Sequence, residues 1–231
     1  MTDAYADRRG EIATYFDATA VDAWAQLTSD APVSGIRQTV RQGRDRMREI
    51  LLSWLAYDLS GAALLDAGCG TGALAFAAAR RGASVTAVDL SANLIALAQD
   101  RAPSNLASNL NFRVGDMSEA GLGVFDHVVA MDSLIHYPQA QILDLLAQIA
   151  PRVRRSILFT FAPRTPALSL MHAAGRLFPR SNRSPAIEPV TETRLHQAIA
   201  AEPALAAWRI GRTERVSSGF YTSQAVELVR R

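Results

Sequence analysis

Residues 64–72 read Leu-Leu-Asp-Ala-Gly-Cys-Gly-Thr-Gly, a short apolar run that ends in a carboxylate and continues into three alternate glycines. A helical pattern follows at once, so the stretch predicts a strand, a glycine loop and a helix. Glycines lack the Cβ atoms that hold a ligand away from the backbone, and the first N–H groups of a helix have no partner within it. We therefore expect a ligand to lie against this loop.

The spacing of the glycines argues against a dinucleotide. The dinucleotide-binding fold uses G-x-G-x-x-G and places its acid about twenty residues later, whereas Asp66 here precedes the alternating Gly68, Gly70 and Gly72. A carboxylate at this position would repel a pyrophosphate but could pair with the ammonium of an amino-acid ligand. The pattern resembles the first motif of the Rossmann-like class I methyltransferases. That resemblance implies S-adenosyl-L-methionine as the co-substrate.

Composition excludes several other classes of protein. The 231 residues are 49% hydrophobic and 20% charged, which suits one α/β domain with additions. No apolar run approaches the roughly 20 residues that cross a bilayer, and residues 1–10 lack the apolar core of a secretory signal, so we expect a cytoplasmic protein. The single cysteine and four scattered histidines predict neither a disulfide nor a protein-bound metal. A net charge of +2 without a recognisable motif disfavours nucleic acid as a partner.

Two helices are predicted ahead of the glycine loop. Apolar residues at helical spacing predict an amphipathic helix over 11–30 and a second helix over 36–55. Arginines recur along one face of the second helix, at positions 37, 41, 44 and 48. This stripe is either a solvated surface or a face turned toward an anion or a membrane. We assign residues 1–60 to an N-terminal helical cap or lid, and residues 61–231 to the cofactor-binding domain.

Beyond residue 62, short apolar strands alternate with helical segments, which is typical of a parallel sheet covered by helices on both faces. The pattern predicts seven strands, over 62–67, 84–88, 110–114, 125–131, 156–161, 207–215 and 219–229. Between the fifth and sixth strands, residues 162–190 combine five prolines and four arginines with an apolar piece. This segment exceeds a minimal connection, and we predict that it is an insertion covering the substrate.

Asp89 follows the second strand, 23 residues after Asp66. Ligands of such sheets bind outside the carboxyl ends of the strands, so Asp89 is placed to accept both ribose hydroxyls of a nucleoside. An ordinary helix-capping role is the alternative, although Ser91 is itself a plausible N-cap of the next helix. We include the neighbouring Leu90 in the predicted cofactor site.

The resemblance to class I methyltransferases extends to the third and fourth strands. It implies that Asp116 contacts the adenine amino group and that the apolar Met117 covers the ring. Met131 ends the fourth strand, which should face the transferred methyl. No Asn/Asp-Pro-Pro-Tyr motif is present, so methylation of amino groups on nucleic-acid bases is disfavoured.

Further strings across nearly the whole chain resemble a single family. They are residues 15–17 (Tyr-Phe-Asp), 35–37 (Gly-Ile-Arg), 66–70 (Asp-Ala-Gly-Cys-Gly), 131–137 (Met-Asp-Ser-Leu-Ile-His-Tyr), 161–166 (Phe-Ala-Pro-Arg-Thr-Pro), 177–180 (Leu-Phe-Pro-Arg) and 219–223 (Gly-Phe-Tyr-Thr-Ser). On these strings the chain resembles the magnesium-protoporphyrin IX O-methyltransferase family of bacteriochlorophyll and chlorophyll synthesis. The resemblance implies a seven-stranded, mostly parallel sheet whose last two strands are antiparallel. It also implies esterification of one propionate of magnesium protoporphyrin IX, with the magnesium carried by the substrate.

The same resemblance implies roles for four side chains. Tyr15 and His136 match positions that the family uses near the acceptor, where Tyr15 could donate a hydrogen bond and His136 could orient the carboxylate or approach the magnesium. A core tyrosine and a structurally satisfied histidine are the alternative. Arg164 and Arg180 are candidates for the two propionates, because arginine binds carboxylates with a two-pronged fork. Surface arginines that only solubilise the insertion are the alternative for this pair.

The implied partners are the porphyrin, the porphyrin-binding subunit of magnesium chelatase and, through peripheral contact, a photosynthetic membrane. A methyltransferase for another carboxylate or a phenol would use the same cofactor site. A non-catalytic cofactor-binding or RNA-binding scaffold is the alternative from a different class. Such a scaffold would tolerate the loss of Tyr15 and His136, whereas an enzyme would not.

Overall fold

A computed structural model describes residues 3–18, 21–28, 32–164 and 186–231. The helices within these ranges are α1 (Asp3–Ala18), α2 (Val21–Leu27), α3 (Gly35–Ser53), α4 (Ala73–Arg80), α5 (Ala92–Asp100), α6 (Gln139–Ile149) and α7 (Glu192–Ala201). The strands are β1 (Ala63–Ala67), β2 (Ser84–Asp89), β3 (Leu110–Val114), β4 (Phe125–Ala130), β5 (Val153–Phe161), β6 (Trp208–Ser218) and β7 (Tyr221–Arg230). None of these helices combines the length and apolarity that a membrane span requires.

The strands form one sheet in the order β3-β2-β1-β4-β5-β7-β6. Strands β1 to β5 pair in parallel, and β7 pairs antiparallel with both β5 and β6. Of these seven strands, β7 therefore runs opposite to the other six. The last two strands, β6 and β7, are antiparallel to each other, as expected. The seven-stranded, mostly parallel sheet predicted from the strand–helix alternation is confirmed.

Hydrophobic residues fill both faces of this sheet. Neighbouring residues of β1 point to opposite sides, so that Leu65 packs in one cluster with α6 and α7 whereas Leu64 packs in the other with α3 and α4. Both leucines are completely buried. The near-continuous apolar character of β1 and β4 follows, because a strand with helices on both faces has no solvent side.

The N-terminal region differs from the prediction. In place of one helix over 11–30, the structure has α1, which begins at Asp3, and the separate helix α2. The start of α1 is hard to see in the sequence because Tyr5 is its one buried side chain ahead of Ile12. Helix α3 lies near the predicted 36–55, and its Met47 and Leu51 are fully buried in the core. The boundary between cap and domain at residue 60 stays a prediction.

The edges of the predicted insertion lie close together. Val190 N donates to Ala162 O (2.8 Å), and Arg164 N donates to Val190 O (2.9 Å). Glu188 N donates to Ile135 O (2.8 Å), which ties the returning chain to the turn after β4. β5 itself begins at Val153, ahead of the predicted 156–161. The prediction began too late because exposed arginines at positions 154 and 155 interrupt the apolar run.

Candidate cofactor and acceptor site

A cavity of about 630 Å³ opens at the carboxyl ends of β1, β2, β3 and β4. Helices α1, α2 and α3 and the turn between β6 and β7 line its opposite wall. The two walls differ in origin. Loops that follow the parallel strands form the first, and segments from the two ends of the chain form the second.

The glycine loop joins β1 to α4 and is shaped by positive backbone angles. Gly68 has φ 81° and Gly70 has φ 54°, in the left-handed region that favours glycine. A Cβ on Gly68 would lie 2.4 Å from Cβ of Ser133, so no side chain fits there. Gly72 also has positive φ, but it precedes α4 and does not line the cavity in the described part of the chain. Its predicted ligand contact stays a prediction, and in the structure Gly72 occupies the N-cap of α4.

Asp89 anchors this loop to the end of β2. Its Oδ2 accepts from Gly70 N (2.8 Å) and its Oδ1 accepts from Ser91 N (3.0 Å). Ser91 caps α5 as predicted, accepting from Leu94 N at 3.1 Å. Burial raises the pKa of Asp89, while the two amides act in the opposite direction. Asp89 lines the cavity, so each oxygen keeps capacity for a ligand hydroxyl.

We expect Asp89→Ala to weaken S-adenosylhomocysteine binding by roughly 1.5–3 kcal/mol, the value of a hydrogen bond to a charged group. Titration calorimetry measures this directly. Asp89→Asn keeps one carbonyl oxygen and should lose less affinity. The exposed Asp144 of α6 provides a control, because Asp144→Ala should bind like the parent. Parent-like affinity of Asp89→Ala would contradict the placement of a ribose at β2.

Asp66 lies at the end of β1 and is 2% exposed. Asp66 lines the cavity, and its Oδ2 is buried and has no hydrogen-bond partner among the described residues. Burial raises its pKa to about 7, and the nearby Asp89 carboxylate adds to the shift. A buried carboxylate oxygen without a partner is costly unless a cation meets it. The site therefore fits the ammonium of a methionyl group.

Asp116 is engaged by helix α1. Its Oδ2 accepts from Tyr5 OH (2.8 Å) and Arg9 Nη1 (3.1 Å), and its Oδ1 accepts from N and Oγ of Ser118 (both 2.8 Å). Burial acts to raise the pKa of Asp116, but these hydrogen bonds outweigh it and hold the pKa below its ordinary value. An adenine amino group could reach Asp116 only where one of these bonds opens. The predicted adenine contact thus requires one of the bonds from α1 or from Ser118 to open.

The apolar part of the predicted cofactor site is brought together. Leu90, Met117 and Met131 all line the cavity, and both methionines are buried. Across the sheet they come in the order Met117 after β3, Leu90 after β2 and, beyond β1, Met131 after β4. A ligand lying outside the carboxyl ends of these strands would meet all three.

An aromatic group borders the other half of the cavity. The ring of Phe16 lies 5.2 Å from Tyr15, 5.6 Å from Trp24 and 5.9 Å from His136. All four side chains line the cavity, and His136 is buried. The structure thus places Tyr15 and His136 around one shared ring. Their predicted roles toward an acceptor stay predictions.

The arginines are distributed differently from the prediction. Arg164 is exposed and lines a separate pocket of about 180 Å³ with Glu188 and Arg194, away from the main cavity. Arg180 lies outside the described residues. The arginines of the α3 stripe line the main cavity instead, at positions 37, 41, 44 and 48. This stripe is therefore not simply a solvated surface, and the prediction that it faces an anion stays a prediction.

Asp132 belongs to the site, although the sequence did not predict it as a site residue. It directly follows β4 and is the one non-glycine residue with positive φ (53°) in the described part of the chain. Its carboxylate accepts from Arg44, Tyr221 and Ser223 at 2.7 to 3.1 Å. The sequence carries no local signal for this cluster, because its members come from α3, β4 and β7.

The sheet order, the glycine loop and the acids at the strand ends define a class I S-adenosylmethionine-dependent methyltransferase. A family model described as a methyltransferase domain matches residues 64–156, and one described as the C-terminus of magnesium-protoporphyrin IX methyltransferase matches residues 130–230. The chain belongs to the magnesium-protoporphyrin O-methyltransferase family, as its similarity to whole members of that family shows.

Two relatives and one solved structure carry this assignment. Magnesium-protoporphyrin O-methyltransferase of Rhodobacter capsulatus is 46% identical over 98% of this chain and 99% of its own length. The protein of the same name from Synechocystis is 30% identical over the full length of both chains. A crystal structure of magnesium protoporphyrin IX methyltransferase from Synechocystis with bound SAH has a TM-score of 0.83 and 29% identity, covering 95% of this chain and 98% of that one. The predicted family and enzyme class are confirmed.

Proposed function

We propose that this chain transfers a methyl group from S-adenosyl-L-methionine to one propionate of magnesium protoporphyrin IX, giving the monomethyl ester. The observation that carries the proposal is the second wall of the cavity, where aromatic side chains from α1 and α2 lie beside the arginine face of α3. A porphyrin is a flat apolar disc with two carboxylates at one edge, and such a ligand needs both kinds of surface. Full-length similarity to the Rhodobacter protein supports the same substrate.

The residues of the chain act mainly by alignment. S-adenosylmethionine, when bound, supplies the methyl group on a sulfonium. A propionate with an ordinary carboxylic pKa of about 4 is ionised at neutral pH, so no strong base has to remove a proton. Tyr15 can donate a hydrogen bond to the acceptor oxygen, and His136 can fix the orientation of the carboxylate. Opposite charges disappear as the methyl moves, so excluding water from the cavity favours the reaction.

The metal in this reaction belongs to the substrate. Within the described residues, no group of three or more His, Cys, Asp or Glu side chains is arranged to hold a metal ion. His136 is a cavity residue that could approach the substrate's magnesium.

Turnover with isotopically labelled S-adenosylmethionine and magnesium protoporphyrin IX tests the proposal. The expected product is the labelled monomethyl ester, identified by chromatography and mass. Metal-free protoporphyrin, a small aromatic acid and a phenol serve as competing acceptors. Transfer to one of these acceptors in preference to magnesium protoporphyrin would contradict the proposed substrate.

Helices α1 and α2 are expected to act as a lid over the cavity, because a bulky product and the spent cofactor must both leave a site that chemistry needs closed. Polar contacts hold these helices in place. Asp17 accepts from Ser91 Oγ (2.6 Å), and Arg101 donates to Ala25 O (3.0 Å). Among the described side chains of α1 and α2, Tyr5, Ile12 and Leu27 are the buried ones, and helices with few buried side chains open at lower cost than a packed core.

Hydrogen exchange measures the lid directly. We expect backbone amides of α1 and α2 to gain protection when S-adenosylhomocysteine and the porphyrin are both present. Amides of α6, which packs in the core and contributes no residue to the lining of the cavity, serve as the internal control. Unchanged exchange in α1 and α2 would count against a lid.

Two finer expectations stay predictions: contact with the porphyrin-binding subunit of magnesium chelatase, and peripheral contact with a membrane. Ile36 and Phe220 are exposed large apolar side chains, and Phe220 also lines the cavity. The turn that carries Phe220 meets α3 closely, since a Cβ on Gly219 would contact Thr39. Charged substitutions at Ile36 and Phe220, assayed by pull-down and by vesicle flotation, test both contacts.

A further inference from the structure

Arg44 of α3 is held in one position at the edge of the cavity. Its Nη1 donates to Asp132 Oδ2 at 2.7 Å, and its guanidinium carbon lies 4.6 Å from the centre of the Trp24 ring. The side chain is only 20% exposed. An ion pair on one side and an aromatic face on the other restrict a side chain that is otherwise costly to order.

Asp132, the partner of Arg44, is itself unable to turn away. Its Oδ1 accepts from Tyr221 OH (3.0 Å), Ser223 Oγ (3.0 Å) and Thr160 Oγ1 (3.2 Å). Its carboxylate is 4% exposed, and its backbone has the positive φ noted above. Strained backbone of this kind persists where the surroundings over-determine it, and it is concentrated at functional sites.

The arginines of the α3 stripe differ in their partners, and in the described part of the chain Arg44 is the one that pairs with a buried carboxylate from another element. Arg37 donates to Gln26 Oε1 (3.0 Å). Arg41 donates to the carbonyls of Leu27 and Gln26, and Arg48 pairs with Asp45. Arg44 makes its one described hydrogen bond with Asp132. A guanidinium has more donors than that bond uses. Since Arg44 lines the cavity, its remaining N–H groups are available to a ligand.

We propose that Arg44 binds the second, non-reacting propionate of the porphyrin and thereby limits the enzyme to one methylation. The inference rests on the proposed function. An arginine on the reacting carboxylate would withdraw charge from the attacking oxygen. An arginine bound to the other propionate does not slow the reaction, because that carboxylate stays an anion from substrate to product.

This contact makes the product a poor substrate. To be methylated again, the monomethyl ester has to turn over and present its remaining carboxylate to the methyl group. Its ester then lies at Arg44, where a neutral group replaces an anion. The charge-assisted, two-pronged hydrogen bonding that favours a carboxylate is lost. Arg44 is therefore a specificity-determining residue for mono- against diesterification.

Arg44→Met tests the proposal, because methionine keeps an apolar stem against Trp24 and removes the charge. The KM for magnesium protoporphyrin IX is expected to rise about 10- to 100-fold, the range set by hydrogen bonds to charged groups, with kcat changed only a few-fold. The preference for the diacid over the monomethyl ester, measured as a ratio of kcat/KM values, should fall by a similar factor. Arg44→Lys should restore part of that preference, since lysine keeps the charge without the fork.

Arg46→Met is the matched control. Arg46 lies on the same helix, is 62% exposed, and pairs with Glu49 outside the cavity. The Arg46→Met variant should have the parent's kcat and KM for both the diacid and the monomethyl ester. S-adenosylhomocysteine affinity and the thermal midpoint report whether Arg44→Met disturbs Asp132 and the fold. Should that variant not fold, competition by the porphyrin dimethyl ester and by the monomethyl ester against the parent protein tests the contact from the substrate side. The dimethyl ester, which lacks only the second carboxylate of the monomethyl ester, is expected to bind at least about tenfold more weakly than the monomethyl ester.

Three outcomes overturn the proposal. The first is an equal loss for diacid and monoester, which would assign Arg44 a structural role. The second is a fall in kcat with the preference unchanged, which would assign it to the reacting carboxylate. The third is dimethyl ester that competes as well as the monomethyl ester. A parent protein that binds S-adenosylhomocysteine but does not methylate magnesium protoporphyrin IX would instead refute the proposed function.

Discussion

Replacing His136 with alanine is expected to slow single-turnover methyl transfer to magnesium protoporphyrin IX by about 100-fold, the scale of a lost alignment. Binding of S-adenosylhomocysteine should not change. His136 is buried just after β4, and the ring of Phe16 restricts its orientation at the cavity. The groups expected to hold the cofactor, Asp66 and Asp89, belong to β1 and β2 and are untouched by the substitution.

His136→Asn separates orientation from proton removal. Asparagine keeps a hydrogen-bonding side chain, so an orienting role predicts substantial activity and a flat rate from about pH 6 to 9, the range in which a free histidine finishes titrating. A proton-abstracting base would give a rate that rises with pH and then levels. His196→Ala is the control, because His196 lies on α7 outside the cavity. If the His136→Asn variant is as inactive as the His136→Ala variant while cofactor and porphyrin still bind, the orienting role is refuted.

Binding of S-adenosylhomocysteine is expected to weaken about tenfold for each pH unit below 7, because Asp66 must be ionised to meet the ligand's ammonium. Burial raises the pKa of Asp66 to about 7, so the free protein carries this carboxyl protonated at lower pH and binding has to release the proton. Affinity therefore rises with pH and levels above about 7. The same shift makes the free protein lose stability as the pH rises from about 4 to 7, because in this range the unfolded chain has lost the proton that the folded protein still holds.

Asp66→Asn should remove this pH dependence and bind S-adenosylhomocysteine weakly throughout. Calorimetry in two buffers with different ionisation enthalpies measures the released proton. Asp126 supplies the control: it is buried on β4, accepts from Ala63 N (3.0 Å) and does not line the cavity, so Asp126→Asn should keep the parent's pH dependence. A parent affinity that is constant from about pH 5.5 to 8, with no proton released, would refute the pairing of Asp66 with an ammonium.

The cofactor side of the site could be predicted because its chemistry is local in the chain. In a parallel sheet a loop follows the carboxyl end of each strand, and all these ends lie at the same edge of the sheet. A residue that follows a strand is therefore placed by its position alone. Asp66, Asp89, Met117 and Met131 all line the cavity in this way. Gly72 is the exception, because it belongs to the helix that follows the loop.

The acceptor side could not be predicted in the same way. A stripe of arginines gives α3 the same helical periodicity whether that face meets bulk water or a water-filled cavity. Only the packing of α3 against β6 and β7 turns it toward the end of β4. Arg164 shows the converse, since it stands in a family-like string and yet lies at a separate pocket.

The amino-acid pattern alone determines the sheet, the glycine loop and the row of acids and apolar residues at the strand ends, because each depends on neighbours within a few residues. The tertiary structure decides which distant groups meet them. Arg44 reaches Asp132 across 88 residues, and Tyr5 reaches Asp116 across 111. Such pairs leave no periodic signal, since burial and charge are matched between elements that are brought together only when the chain folds.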